Sequence, residues 1–176
     1  MILPTKKDPL DALIVQTAAG NTDAFTRLYH ETRSAVYAYS LSILKSHHDA
    51  EDALQDCFLA IRASAKYYQP EGKPMAWIMT ITKHLCFKQL QQQKRSAELV
   101  PEMYADTPGS DPDTKLVIEA CLKMLSDEER QIVILHAMAG FKHREIADFL
   151  ELPLSTVLSK YRRALNKMKN ELRKES

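Results

Sequence analysis

Apolar residues return at three- and four-residue steps through most of the chain. Ahead of residue 96 the stretches are DPLDALIVQTAAG, TDAFTRLYHETRSAVYAYSLSIL, HDAEDALQDCFLAIRASAKYY and KPMAWIMTITKHLCFKQLQQQKR. From residue 114 they are TKLVIEACLKML, SDEERQIVILHAMAG and REIADFLELPLSTVLSKYRRA. That period is the signature of one buried face of an α-helix, and the chain has no alternating Val/Ile/Thr run that would make a strand. Helix starts are expected at Asp11, Thr22, Asp49 and Pro74, where a capping side chain or a proline precedes an apolar run. Ser126 followed by Glu129 is a capping-box pattern, and Gly140 suits a stop.

The last two periodic segments are short and closely joined. Glu145 to Leu150 makes a short helix that packs through Ile146, Ala147 and Leu150, and the small Ala147 permits a close crossing. Glu151, Leu152 and Pro153 then form a tight connection to a helix beginning near Ser155. Two helices joined this way are a helix-turn-helix, whose second helix meets base edges while basic side chains fix its register on phosphates. Projected at 100° per residue, Leu154, Val157, Tyr161, Ala164, Leu165 and Met168 share one side, with Leu158 at its border. Ser155, Ser159, Arg162, Arg163 and Asn166 share the other, flanked by Thr156 and Lys160. Glu151 stands where such turns favour glycine, because the backbone there runs toward positive φ.

Charge sharpens this division. The net charge is only +1 at pH 7, yet it is polarised along the chain. Between Ser96 and Thr114 there is no Lys or Arg, but Glu98, Glu102, Asp106, Asp111 and Asp113 are interleaved with Pro101, Pro108, Gly109 and Pro112, the composition of an extended linker. From Leu154 onward Lys160, Arg162, Arg163, Lys167, Lys169, Arg173 and Lys174 stand against Glu171. The expected fold is all-α: two small helical domains joined by an acidic flexible linker, with the helix-turn-helix in the C-terminal one. The expected boundaries are 1–95, 96–114 and 115–176.

Other chemistry is thin. Cys57, Cys86 and Cys121 are odd in number, widely spaced and in no CxxC pair, so they are expected to be core thiols. His47 and His48 point in different directions on a helix and have no third ligand at useful spacing, so no metal and no cofactor is expected. The chain lacks HExxH, a nucleophile elbow and a phosphate-binding glycine loop, which argues against an enzyme. No stretch approaches the roughly 20 apolar residues of a membrane span, so a cytoplasmic protein without membrane insertion is expected.

The segment CLKMLSDEERQIVILHAMAGFKHREIADFLELPLSTVLSKYRRALNKMKNEL resembles region 4 of the extracytoplasmic-function (ECF) sigma factors of bacterial RNA polymerase. LIVQTAAGNTDAFTRLYH, HDAEDALQDCFLAI and GKPMAWIMTITKHL resemble their region 2, in the same order along the chain. The resemblance implies a protein that binds bacterial core RNA polymerase and directs promoter recognition and transcription initiation. It implies promoter DNA as a second partner and admits an anti-sigma factor as a third.

Carried onto this chain, Asp52, Gln55 and Asp56 would dock on the polymerase clamp. They lie opposite the apolar stripe Ala53, Leu54, Cys57, Phe58 and Ile61. Lys83, His84, Lys88, Gln91, Lys94 and Arg95, with the loop at about Gln69 to Pro74, would open and read the −10 element. Ser155, Thr156, Ser159, Lys160, Arg162, Arg163 and Lys167 would read the −35 element. Many members carry asparagine or aspartate near His84 and Lys88, so this chain departs from the pattern there. Trp77 is expected to anchor the core rather than stack on bases. The alternative is a helix-turn-helix transcriptional regulator whose N-terminal helices sense a ligand or dimerise. A non-DNA adaptor keeping only the acidic helix is a more distant one.

Overall fold

The computed structural model describes residues 8–96 and 123–174, and every regular element among them is helical. The expected acidic linker beyond Ser96, and Cys121, lie outside the described residues. The chain divides into two compact units, Met1–Tyr104 and Ala105–Ser176.

The first unit holds α1 (Pro9–Ala18), α2 (Thr22–Leu44), α3 (His47–Ser64), a 3-10 turn (Ala65–Tyr67) and α4 (Pro74–Ser96). Each early start is fixed by a side chain that accepts an otherwise unpaired amide of the first turn. Asp8 accepts from Leu10, Asn21 from Ala24 and Ser46 from Asp49. Thr22 and Pro74 are therefore starts as expected, whereas Asp11 and Asp49 lie inside their helices. Asp11 is buried and accepts the Tyr68 hydroxyl. Asp49 Oδ1 and Oδ2 accept the Gln89 and Gln93 amides, each at 3.0 Å.

Helix α2 is the central element, packed against α1, α3 and α4. Its Leu28, Val36, Tyr39 and Leu41 meet Ile14, Ile61, Ile78 and Met79 in a core with almost no solvent access. Cys57 and Cys86 are fully buried there as free thiols. Cys57 Sγ lies 3.2 Å from Thr82 Oγ1. Burial pushes its thiol up to about 12, with Cys86 adding and the Thr82 bond opposing. A thiol held neutral this firmly is packing material, not a nucleophile.

The second unit holds α5 (Asp127–Ala137), α6 (His143–Leu150) and α7 (Leu154–Lys174). The Ser126 capping box is complete: the Ser126 amide donates to Glu129 Oε2 at 3.0 Å and the Glu129 amide to Ser126 Oγ at 3.3 Å. Ile132, Leu135, Ile146, Val157 and Ala164 are fully buried where the three helices meet. His136, His143 and Tyr161 tie one helix each into a ring cluster. The two imidazoles stack at 4.4 Å, and each meets the tyrosine edge-on at 4.9 and 4.8 Å. Burial, and then the neighbouring His136, hold the His143 imidazolium below its usual range.

Candidate nucleic-acid and polymerase interface

The geometry of α7 begins at the turn before it. Glu151 closes α6 in the left-handed region, φ 56° and ψ 42°, and the Leu152 amide donates to Ala147 O at 2.9 Å. The turn thus has the backbone that glycine would favour, built with glutamate at some strain. It delivers α7 with Val157 and Ala164 inward and Ser155, Ser159, Arg162, Arg163 and Asn166 exposed. Thr156 is half-buried. Leu165 departs from the projected apolar side: with Leu158 it forms an exposed apolar edge, 43% and 47% accessible, beside the hydroxyl and guanidinium face.

Two of the expected DNA contacts also have intramolecular partners. Lys160 Nζ lies 2.9 Å from Glu128 and Lys167 Nζ 2.7 Å from Glu129, both carboxylates on α5. Glu129 is only 2% accessible and also draws Arg163 Nη1 to 3.9 Å, while Arg163 itself stays 60% accessible. Burial alone would raise the Glu129 carboxyl. The Lys167 ammonium, the Ser126 amide and the Ser126 hydroxyl outweigh it, and the net displacement is downward. Glu129 therefore works as a buried anion that fixes how α7 is rotated. Its neighbours Arg162 and Arg163, with Ser155 and Ser159, make up the outward face. The Ser159 hydroxyl donates to Thr156 O at 3.0 Å and keeps its lone pairs available.

On α3, Asp52, Gln55 and Asp56 are exposed together, and His48 Nε2 approaches Asp52 at 3.6 Å across one turn. The same strip includes Leu59, 65% accessible, one turn beyond Gln55 and Asp56. Sequence reading passed over Leu59 because it follows the buried Phe58. Its spacing of seven from Asp52 is the signal that places it with the carboxylates. A large exposed apolar side chain among acids is the composition of a protein contact with a desolvated centre and a charged rim.

On α4, His84, Lys88, Gln91, Lys94 and Arg95 are exposed, and Lys83 is half-buried at the edge of that face. Gln89 and Gln93 turn the other way, to Asp49. In the preceding loop Gly72 takes φ 77°. Tyr68 and Trp77 pack on each other with centroids 4.8 Å apart, so Trp77 is an anchor of the fold as expected. Tyr67 is left exposed, with the Lys66 ammonium 4.9 Å from its ring centre.

Among the described residues, no three His, Cys, Asp or Glu side chains are grouped to hold a metal, and no helix is long and apolar enough to cross a membrane.

Residues 28–96 match the family model of Sigma-70 region 2, and residues 115–168 match that of Sigma-70, region 4. The chain is 27% identical over 179 residues to the ECF RNA polymerase sigma factor SigK of Mycobacterium ulcerans, covering 95% of each. It is 28% identical over 181 residues to SigK of Mycobacterium sp. strain KMS, covering 96% of this chain and 93% of the relative. Among solved structures, CnrH in complex with the cytosolic domain of CnrY aligns at TM-score 0.62 and 25% identity, over 96% of this chain and all of that one. The sigma factor RpoE of Bartonella quintana, solved with the anti-sigma factor NepR, shares the fold at TM-score 0.65 and 24% identity, over 86% of this chain and 98% of that one.

Proposed function

The chain belongs to the ECF sigma factors of the sigma-70 family, and on that premise we propose how its surfaces divide the work of directing bacterial core RNA polymerase to promoters. The match of residues 28–96 to region 2 speaks against the regulator with a sensing or dimerising N-terminal part. Core polymerase is held through Asp52, Gln55 and Asp56 on α3, with Leu59 at the centre of that contact. The opened −10 strand lies along His84, Lys88, Gln91, Lys94 and Arg95, with Lys83 at the margin. The −35 duplex receives α7 through Ser155, Ser159, Arg162 and Arg163. Thr156, Lys160 and Lys167 lie at its edge, the two lysines shared with α5. The site of action is the cytoplasm, where the polymerase works. An anti-sigma factor is a fitting third partner, since both solved relatives were captured in such pairings or with a cytosolic regulator domain.

The observation that carries this reading is the two-sidedness of α7. Val157 and Ala164 are fully buried on one side, and two serines and two arginines stand exposed on the other. The test is run-off transcription with purified core enzyme. Arg163→Ala should reduce initiation at a −35-dependent promoter roughly ten-fold, the loss of about one good base or phosphate contact. Capture of core polymerase should be unchanged. Full transcription by the variant, or no capture by the unaltered chain, defeats the assignment.

A further inference from the structure

Three aromatic side chains belong to or adjoin α4, and the fold consumes two of them. Tyr68 and Trp77 pack face against face, and the Tyr68 hydroxyl is spent on buried Asp11. The third, Phe87, is 45% accessible and is the large apolar side chain that α4 leaves exposed among the described residues.

An exposed phenylalanine is ordinary when it stands alone. Its neighbours decide the matter here. Residues three, four and seven apart share a helix face, so Phe87 lies beside Thr80, His84, Gln91 and Lys94, all exposed, with exposed Lys88 next along the chain. One aromatic ring is thus framed by two ammonium groups, an imidazole and an amide. A protein-docking centre would gather further apolar side chains, as Leu59 or the Leu158 and Leu165 edge could, and this face has none besides Phe87. Cations with an interleaved ring are what a single-stranded nucleic acid needs, charge for its phosphates and a π-face for a base.

We propose that Phe87 is a stacking platform for one unpaired base of the promoter strand held along α4. This rests on the reading of α4 as the −10 surface and adds to it a residue and a mode of contact. Lys88 and Lys94 neutralise phosphates on either side, and Gln91 offers both donor and acceptor to a base edge. Stacking tolerates any base, so the platform contributes to holding the strand open more than to reading its sequence.

The test uses holoenzyme assembled from the full chain and core polymerase, with a forked promoter fragment whose −10 region is single-stranded. 2-Aminopurine is placed at successive positions of that strand. Phe87→Ala should weaken fork binding about ten-fold and abolish fluorescence quenching at one position, the scale of a lost base–aromatic stack. Phe87→Tyr should keep both. Affinity for core polymerase, −35 duplex binding and thermal unfolding should be unchanged, because the ring is not part of the core. Equal fork binding and quenching by Phe87→Ala overturns the platform, as does a loss of core affinity in that variant. If the unaltered holoenzyme does not hold the fork at all, the −10 assignment of α4 fails first and the platform with it.

Discussion

Replacing Glu129 by glutamine removes one charge from the most enclosed acidic position of the second unit while leaving its shape nearly intact. The Ser126 amide at 3.0 Å can still find an acceptor oxygen, so the capping geometry survives. What disappears is the charge-assisted bond to Lys167 at 2.7 Å and the attraction on Arg163 at 3.9 Å. A hydrogen bond to a charged group contributes about 1.5–3 kcal/mol. Lys167 is 41% accessible and rehydrates once released, and the Arg163 contact is long and wet, which holds the loss to the lower part of that range. About 2 kcal/mol is expected at pH 7, or about a thirty-fold loss of amide hydrogen-exchange protection in α5 and α7 of the intact chain.

The pH dependence has a definite sign. The folded carboxyl titrates below its unfolded value of roughly 4.3. Its contribution is complete above that pH and is lost as the pH falls through the lower, folded value. The protection difference between parent and variant should therefore be constant from pH 6 to 8 and shrink below about pH 4. Equal protection of the two proteins at pH 7 would refute the view of Glu129 as the anchor of α7.

Glu151→Gly should stabilise the turn by about 0.5–1 kcal/mol, because a left-handed φ of 56° costs a side-chain-bearing residue about 1–2 kcal/mol and glycine's extra unfolded freedom returns part of it. A lower midpoint in thermal or denaturant unfolding would contradict this. His143→Phe should flatten the acid side of the stability profile. The folded imidazole resists its proton, so the parent loses stability as pH drops below roughly 6.5, a window well separated from that of Glu129. Hydrogen exchange of α6 amides between pH 7.5 and 5.5 checks it, and an unchanged slope in the variant would count against the ring cluster as its origin.

Much of this was legible because the period of apolar residues is a local property. The outward set on α7 follows from Val157 and Ala164 being inward, and the αL turn at Glu151 follows from the chain having to reverse within three residues. The misplacements have a common physical cause in partners distant along the chain. Asp11 and Asp49 look like caps, but Asp8 and Ser46 stand one turn earlier, and the carboxylates are taken by Tyr68 and by Gln89 and Gln93, which no local pattern reveals. Lys160 and Lys167 read as free cations until α5 brings Glu128 and Glu129 beside them. Leu165 projects with the buried side, yet the short α6 and α5 cover a narrower arc of α7 than its apolar residues span. Leu59 and Phe87 escaped notice because a search for donors and acceptors passes over apolar residues on polar faces.

The bond pair at Asp49 has a mechanical consequence. Its two carboxylate oxygens are bound by amides from successive turns near the far end of α4, while its own backbone lies one turn before Asp52. Those last turns carry Gln91, Lys94 and Arg95, so the portion of α4 farthest from Pro74 is latched to the first turn of α3 instead of swinging as a free rod. Any load taken up along that end is transmitted through one carboxylate to the acidic strip beside it, and stiffness gained at either surface is felt at the other.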